Sequence, residues 1–193
     1  MKWAIDPAHS IANFSIRHMM SKVRGTVSVK EGWIEADEKE DPSSAKVEVV
    51  LDAAMINTGV APRDDDLRSP NHLDVAKYPT MTFRSKRIEG SDPKQFVLIG
   101  DLAIHGGTGD VRLECSFGGA AKDPWGNRRL SFSAKTRINR KDFGLTWNAA
   151  LETGGFLVGD DVDIDIEVEA IPAANPEEAN ARVEATAKAE SSR

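Results

Sequence analysis

The residues of this 193-residue chain that suggest chemistry are four histidines, one cysteine and a few acidic groups. A metal site needs several histidine, cysteine or carboxylate ligands at short, regular spacing. The histidines do not have that spacing, since they stand at His9, His18, His72 and His105. The one cysteine, Cys115, lies in an alternating run, and free cysteines of this kind are usually buried in the core. We therefore expect neither a metal site nor a reactive thiol.

Asp6, His9 and Ser10 are the three residue types of a serine hydrolase triad. All three lie within five residues, and a strand cannot aim adjacent side chains at one another. The chain also has neither a nucleophile elbow nor a glycine-rich phosphate loop between a strand and a helix. The sequence thus favours a protein that is not an enzyme.

Two charged runs have structural interpretations. The run Arg63–Asp66 suits the start of a short helix, where acidic side chains complement the helix dipole. We expect Arg63 to pair with a buried carboxylate elsewhere. The run Asn139–Asp142 indicates a corner between a strand and a turn, at which Arg140 would bridge strands through bidentate hydrogen bonds.

The elements that must position these residues are strands. Residues 161–171 alternate without a break, with aspartate and glutamate at odd positions and aliphatic residues at even positions. A period of two is typical of a strand with one face in water and one in an apolar interior. The pattern recurs along most of the chain with almost no helix, so an all-β sandwich or closed barrel is predicted.

Eight strands are predicted in one domain over residues 1–172: 13–20, 23–36, 46–52, 80–88, 96–104, 110–117, 129–138 and 161–171. Residues 57–79 interrupt the pattern with three prolines, and we expect a short helix there near residues 63–69. Residues 173–193 are rich in alanine, glutamate and serine, which predicts a flexible or weakly helical tail.

The formal net charge of −6 argues against nucleic acid and anionic membrane surfaces as partners. The first residues lack the apolar run of a secretory signal, so we expect a cytoplasmic protein, or a periplasmic one if a signal was removed. No stretch approaches the ~20 apolar residues of a membrane helix, and no integral membrane segment is expected.

Several blocks stand in the order and spacing of a known family. The opening segment Ile5–Gly25 carries an Asp-Pro-x-His-Ser step, a Phe-Ser-x-Arg-His-Met step and a Val-Arg-Gly step. Later blocks agree, and they lie at 57–59, 63–69, 78–79, 100–102, 138–147 and 158–160. Over about residues 3–171 the chain resembles the YceI-like family of lipocalin-like polyisoprenoid-binding proteins. Each block alone is weak, but their shared order is specific.

The resemblance implies an extended antiparallel eight-stranded lipocalin-like barrel with a long apolar cavity. It also implies that the protein binds an isoprenoid lipid, either a polyprenyl phosphate or an isoprenoid quinone, for storage or transport. No cofactor is expected, and a homodimer is a possible assembly. The alternative is a stress-linked interaction protein whose barrel is filled by side chains. Strand parity gives twelve candidate lining residues: Phe14, Ile16, Met19, Phe83, Leu102, Ile104, Leu113, Phe132, Ile138, Trp147, Ile164 and Ile166.

The lipid head group is expected near the first hairpin, where the family blocks place four polar candidates: His9, Ser10, Arg17 and His18. Hydrogen bonds that only stabilise the turn are the alternative role for these side chains. The chain departs from the family at His72, where an aromatic residue is usual, and at Ala103–Gly109, where relatives carry a basic residue. If that loop grips a phosphate in relatives, a neutral lipid is favoured here.

Overall fold

The computed structural model describes residues 1–36, 44–92, 94–124 and 126–173. The tail predicted at 173–193 lies outside the described residues, apart from Ala173, whose amide donates to the carbonyl oxygen of Lys2. The described part consists mostly of strands, as the alternating pattern predicts.

Nine strands and one α-helix account for most of the described residues. The strands are β1 (Lys2–Ile5), β2 (Ile11–His18), β3 (Ser21–Glu35), β4 (Lys46–Asn57), β5 (Thr80–Asp92), β6 (Gln95–Ile104), β7 (Gly107–Lys122), β8 (Arg128–Asn139) and β9 (Val158–Pro172), and the helix is α1 (Ala61–Arg68). The strand boundaries differ from the predicted ones by a few residues, and β1 is an addition.

The strands β2 to β9 close into an eight-stranded antiparallel barrel. Their order is β3-β2-β9-β8-β7-β6-β5-β4, and pairing of β3 with β4 closes the ring. Short β1 continues the position of β2, because it pairs with the end of β3 and the end of β9 on either side. A 3-10 turn over Pro7–His9 separates the two segments. The predicted barrel is thus confirmed.

The antiparallel order gives the barrel two distinct ends. The even-numbered strands finish at one end, which we call the upper end, and the odd-numbered strands from β3 onward begin there. The upper end carries α1, the tight turn at His105–Gly106 and the irregular segment 144–157. The helix and the longest loops therefore lie at the upper end, and loops positioned by a rigid barrel often carry binding residues.

The side-chain alternation places the apolar residues inside. In β7 the buried positions Val111, Leu113 and Cys115 alternate with exposed ones. β2 and β9 present matching inner faces, with Phe14 opposite Ile164. Most of the core forms one apolar cluster along the upper and middle barrel, and a second cluster around Trp3 lies at the lower end.

Helix α1 starts two residues earlier than predicted and ends one residue earlier. Its acidic start is not fully solvated, because Asp64 is buried and accepts hydrogen bonds from the amide and the hydroxyl of Thr58. These bonds, opposed by burial, hold the pKa of the Asp64 carboxyl below its ordinary value. The expected pairing of Arg63 with a buried carboxylate is indirect: its guanidinium donates to Thr58, which bonds Asp64, and its charge contributes to the lowered pKa of Asp64.

Close backbone approach explains Gly100 in the centre of β6. A Cβ atom at this position would lie 2.4 Å from the carbonyl oxygen of Arg84 and 2.6 Å from the Phe83 ring. Only glycine lets the inner ring of Phe83 fold over the neighbouring strand. Across the described residues, no helix is both long enough and apolar enough to cross a membrane.

Candidate functional site

The barrel encloses an apolar cavity of about 500 Å³, within the usual range for small-molecule sites. It runs from Trp3 and Ala36 at the lower end to Trp147 at the upper end. Aliphatic and aromatic side chains from every barrel strand form its wall. Such a wall offers dispersion contacts to an apolar ligand and few hydrogen bonds along its length.

The structure places eleven of the twelve predicted lining residues on this wall: Phe14, Ile16, Phe83, Leu102, Ile104, Leu113, Phe132, Ile138, Trp147, Ile164 and Ile166. Ten of them lie on the inward face of a regular strand, which is why strand parity identified them. Trp147 lies in the irregular segment 144–157, where parity does not apply. Contact of these side chains with a ligand stays a prediction.

Met19 is the exception and is corrected here. β2 ends at His18, and Met19 follows it in the hairpin with a positive φ of 52°. Its side chain is about half exposed and does not line the cavity. Parity fails here because the left-handed turn redirects the chain out of the strand alternation.

The predicted head-group candidates are dispersed by the fold. His18 lines the cavity at the upper end, whereas His9, Ser10 and Arg17 do not. Ser10 is buried and exchanges hydrogen bonds with the backbone of Glu169, and Arg17 donates to the carbonyl oxygen of Met19. These bonds fit the alternative role, in which the side chains stabilise the turn and the strand pairing. Contact of any of the four candidates with a head group stays a prediction.

The Asp-Pro-x-His-Ser block has a structural role at the barrel wall. Arg129 Nη1 lies 2.9 Å from Asp6 and 3.0 Å from Glu169, and Arg129 Nε lies 3.3 Å from Asp123. Asp6 also contacts His9 Nδ1 at 2.9 Å. Burial raises the pKa of Asp6, but the bonds from Arg129 and His9 outweigh it and leave that pKa below its ordinary value. The block thus joins β1, β8 and β9.

The upper end of the cavity carries a group of charged and histidine residues, of which sequence reasoning assigned only His18 to the head-group site. Within the described ranges, the charged and histidine residues of the lining all lie at this end: His18, Arg63, Asp66, His72 and Arg140. His72 Nε2 lies 3.2 Å from Asp66 Oδ2, and the His72 ring contacts the Trp147 ring at 4.9 Å between centroids. The departure from the family at His72 was the signal available in the sequence.

Arg140 braces the upper end through backbone carbonyls. Its Nε donates to Gly159 at 2.8 Å, and its Nη1 donates to Leu145 at 2.6 Å and to Trp147 at 2.8 Å. These bonds hold the irregular segment 144–157 against the start of β9. The predicted corner is therefore present, and Arg140 bridges it through backbone carbonyls and an ion pair of Nη2 with Asp160 Oδ1 at 3.6 Å.

His105 and Cys115 do not provide reactive groups to the cavity. His105 lies outside the lining and packs against the Tyr78 ring at 4.9 Å between centroids. Cys115 lines the cavity but is buried, and burial raises the pKa of its thiol to about 11. A thiol of that pKa is unreactive as a nucleophile near neutral pH. No cluster of three metal-ligating side chains occurs in the ranges that the structure describes.

Comparison with known proteins assigns the family. A model of the YceI-like domain matches residues 3–170. The chain belongs to the YceI-like family. Protein YceI of Escherichia coli O157:H7 is 36% identical over 164 residues, which cover 84% of this chain and 82% of the relative. Protein YceI of Salmonella arizonae is 37% identical over 139 residues, or 72% of each chain.

Solved structures share the barrel of this YceI-like protein. The Campylobacter jejuni YCEI protein has a TM-score of 0.66 at 30% identity and covers 81% of this chain and 89% of its own. Burkholderia cenocepacia BcnA has a TM-score of 0.69 at 20% identity, with 86% and 98% covered. A domain from Saccharophagus degradans has a TM-score of 0.61 at 16% identity, with 88% and 97% covered. The last two likenesses concern the fold alone.

Proposed function

We propose that this protein binds a long-chain isoprenoid lipid inside the barrel and holds it for storage or transport. The observation that carries the proposal is the apolar cavity of about 500 Å³ that extends between both ends of the barrel. Membership of the YceI-like family supports it. The Saccharophagus degradans relative of the same fold is described as a polyisoprenoid binding domain.

The energetics favour a long apolar tail. Each methylene moved from water into an apolar site contributes about 0.8 kcal/mol. A tail of several isoprene units therefore has ample gross driving force, which the loss of ligand freedom reduces. A wall of aliphatic and aromatic side chains distinguishes such tails by length and shape, while the polar upper end accommodates the head group.

The proposal does not include catalysis. The Asp6, His9 and Ser10 side chains are occupied in structural bonds, and Ser10 gives its hydroxyl hydrogen to a backbone carbonyl rather than to His9. Among the residues that the structure describes, the cavity wall supplies neither a nucleophile with a lowered pKa nor a base beside one. The family also consists of binding domains.

The alternative of a side-chain-filled barrel that acts only through a protein partner has less support. A filled barrel of eight strands would leave no internal space for a ligand. The cavity contradicts that arrangement in the described residues. We therefore retain lipid binding as the one proposed function.

Native mass spectrometry of freshly purified protein tests the proposal, followed by organic extraction and lipid identification. We expect a discrete adduct with the mass of a polyprenyl phosphate or an isoprenoid quinone. A protein that shows only its own mass, and that still does so after incubation with both lipid classes, would overturn the proposal.

A further inference from the structure

The exposed apolar side chains of this protein gather at the upper end of the barrel. Among the described residues, the large apolar side chains that are exposed all lie at that end, with the exception of Met1. They are Met19, Met20, Met55, Val60, Trp147 and Phe156. A cluster of exposed apolar residues on one side of a protein marks an interaction surface.

The tip of the β2–β3 hairpin carries the most exposed of these side chains. Met19 and Met20 form a two-residue loop between the paired residues His18 and Ser21, and Met20 is fully exposed. Loops of this length favour asparagine and glycine, because they need positive φ angles. Met19 nevertheless adopts a positive φ of 52°. Neither turn chemistry nor core packing explains the exposed Met20 side chain, which points to a contact outside the barrel.

This tip adjoins the mouth of the cavity. The amide of Met19 donates to the carbonyl oxygen of Leu157 at 2.8 Å, so Phe156 is one residue away from the hairpin contact. Leu157 and Trp147 line the cavity at this end, and Trp147 is also exposed. Met19, Met20 and Phe156, which we call the apolar tip, therefore lie beside the opening at the upper end.

The hairpin is basic although the chain as a whole is acidic. The formal net charge is −6, but no aspartate or glutamate occurs between Asp6 and Glu31. Arg17, Lys22 and Arg24 lie within this stretch, and all three are exposed. Arg17 and Lys22 stand directly opposite each other in the register of β2 and β3. Like charges at opposite positions destabilise a strand pair, and a nearby anionic surface offsets that repulsion.

The carboxylates of the neighbouring strand β9 do not cancel this positive charge. Asp163 is shared by two cations, because its Oδ1 lies 2.7 Å from Arg137 Nε and its Oδ2 lies 3.1 Å from Lys22 Nζ. Asp160 Oδ2 lies 2.9 Å from Lys141 Nζ. The net charge, which argues against an anionic membrane as partner of the whole surface, therefore does not describe the hairpin.

We propose that the β2–β3 hairpin and Phe156 dock the upper end of the barrel on an anionic lipid bilayer. The apolar tip inserts between the lipid head groups, and the three hairpin cations lie at the level of the lipid phosphates. Helix α1, with consecutive aspartates at 64–66, stays away from the bilayer. The inference goes beyond the proposed function, because docking requires no lipid inside the barrel. It presents the mouth of the cavity to the phase in which isoprenoid lipids dissolve.

Vesicle flotation of the full chain tests the docking. The vesicles contain either phosphatidylcholine alone or phosphatidylcholine mixed with phosphatidylglycerol, and neither kind contains an isoprenoid. We expect the partition coefficient to be higher on the mixed vesicles by about tenfold or more, because each cation near an anionic surface contributes about fivefold. High salt should remove this preference.

Variants separate the apolar and the electrostatic contributions. Met20→Ser and Phe156→Ser should each lower the partition coefficient by about tenfold, the effect of one large apolar side chain. Met20→Leu keeps an apolar side chain at the tip and should float like the wild type. Arg24→Gln should lower the partition coefficient on mixed vesicles by about fivefold. Lys122→Gln is its matched control, because Lys122 is exposed at the lower end, where β7 finishes.

Several results would overturn the inference. Wild-type protein that does not float with the mixed vesicles would refute docking, and equal flotation with both kinds of vesicle would refute the role of the cations. Unchanged flotation of both serine variants would refute the apolar tip. Absent flotation together with a dimer that Met20→Ser dissociates, measured by analytical ultracentrifugation, would assign the tip to a second copy of the chain. Native mass spectrometry measures lipid binding separately, so failure of docking is distinguishable from failure of the proposed function.

Discussion

Ala134 offers a way to block the cavity without changing the outer surface. β8 contributes Leu130, Phe132, Ala134 and Ile138 to the cavity wall. Ala134 lies four residues from Leu130 and four from Ile138, so about 14 Å of strand extends in each direction. The substitution Ala134→Phe would place a ring midway along the path of a bound tail.

The expected loss of affinity follows from the excluded carbons. A tail that enters from the upper end and stops at Phe would leave at least one five-carbon isoprene unit unburied. At about 0.8 kcal/mol per carbon this is about 4 kcal/mol of gross driving force, or roughly a thousandfold in Kd. A lipid whose tail ends above Ala134 should keep its affinity.

Stability separates an open cavity from a filled one. In an open cavity the added ring buries apolar surface, and the free energy of unfolding should stay the same or increase. In a filled barrel the same ring would overpack the core and cost about 1–3 kcal/mol. Urea unfolding of Ala134→Phe measures this difference.

The assay pairs native mass spectrometry with urea unfolding, using menaquinones with long and short tails. Lys135→Phe is the matched control, because Lys135 is exposed on the outer face of the same strand. Undiminished binding of the long-tailed lipid to Ala134→Phe, or a loss of stability of 1 kcal/mol or more, would refute the reasoning.

Three further predictions concern stability, and urea unfolding measures each of them. Burial holds the folded-state pKa of His72 below its ordinary 6.5, so the unfolded chain binds that proton more tightly and the free energy of unfolding should fall as pH drops below about 6.5. His72→Phe should lessen this fall, and an identical pH slope in the variant would contradict the assignment. Asp64→Ala leaves the amide of Thr58 without its acceptor and should lower the free energy of unfolding by about 1–3 kcal/mol. The Thr58 amide should also exchange faster with solvent, and an unchanged exchange rate would contradict the role of this hydrogen bond. Gly100→Ala would place a Cβ atom 2.4 Å from a backbone oxygen of β5 and should lower the free energy of unfolding by about 1–3 kcal/mol. Wild-type stability in this variant would show that β5 and β6 can move apart without cost.

The barrel was predictable because each strand can be recognised from its own short stretch of sequence. Each strand carries its own period-two pattern, and the inward face of β9 is visible in residues 161–171 alone. The same parity placed Phe83 and Leu113 on the cavity wall. Parity gives the face of a residue in a strand but not the residue at which the strand ends, and so it failed at Met19.

The polar end of the cavity was not predictable in the same way. It brings together Asp66 from α1, His72 from the segment that follows and Arg140 from the 3-10 turn after β8. Arg140 is distant in sequence from Asp66 and His72, and the three meet only because the even-numbered strands finish at one end of the barrel. The presence of an open cavity depends likewise on barrel closure and side-chain volume together, which no single strand determines.

The most direct test of lipid binding inside the barrel is a crystal structure of the protein with a long-tailed menaquinone. The account predicts continuous electron density along the cavity past Phe14 and Phe83, with the head group at the polar upper end. Density for the lipid on the outer surface, or a barrel in which the side chains close the cavity, would contradict it.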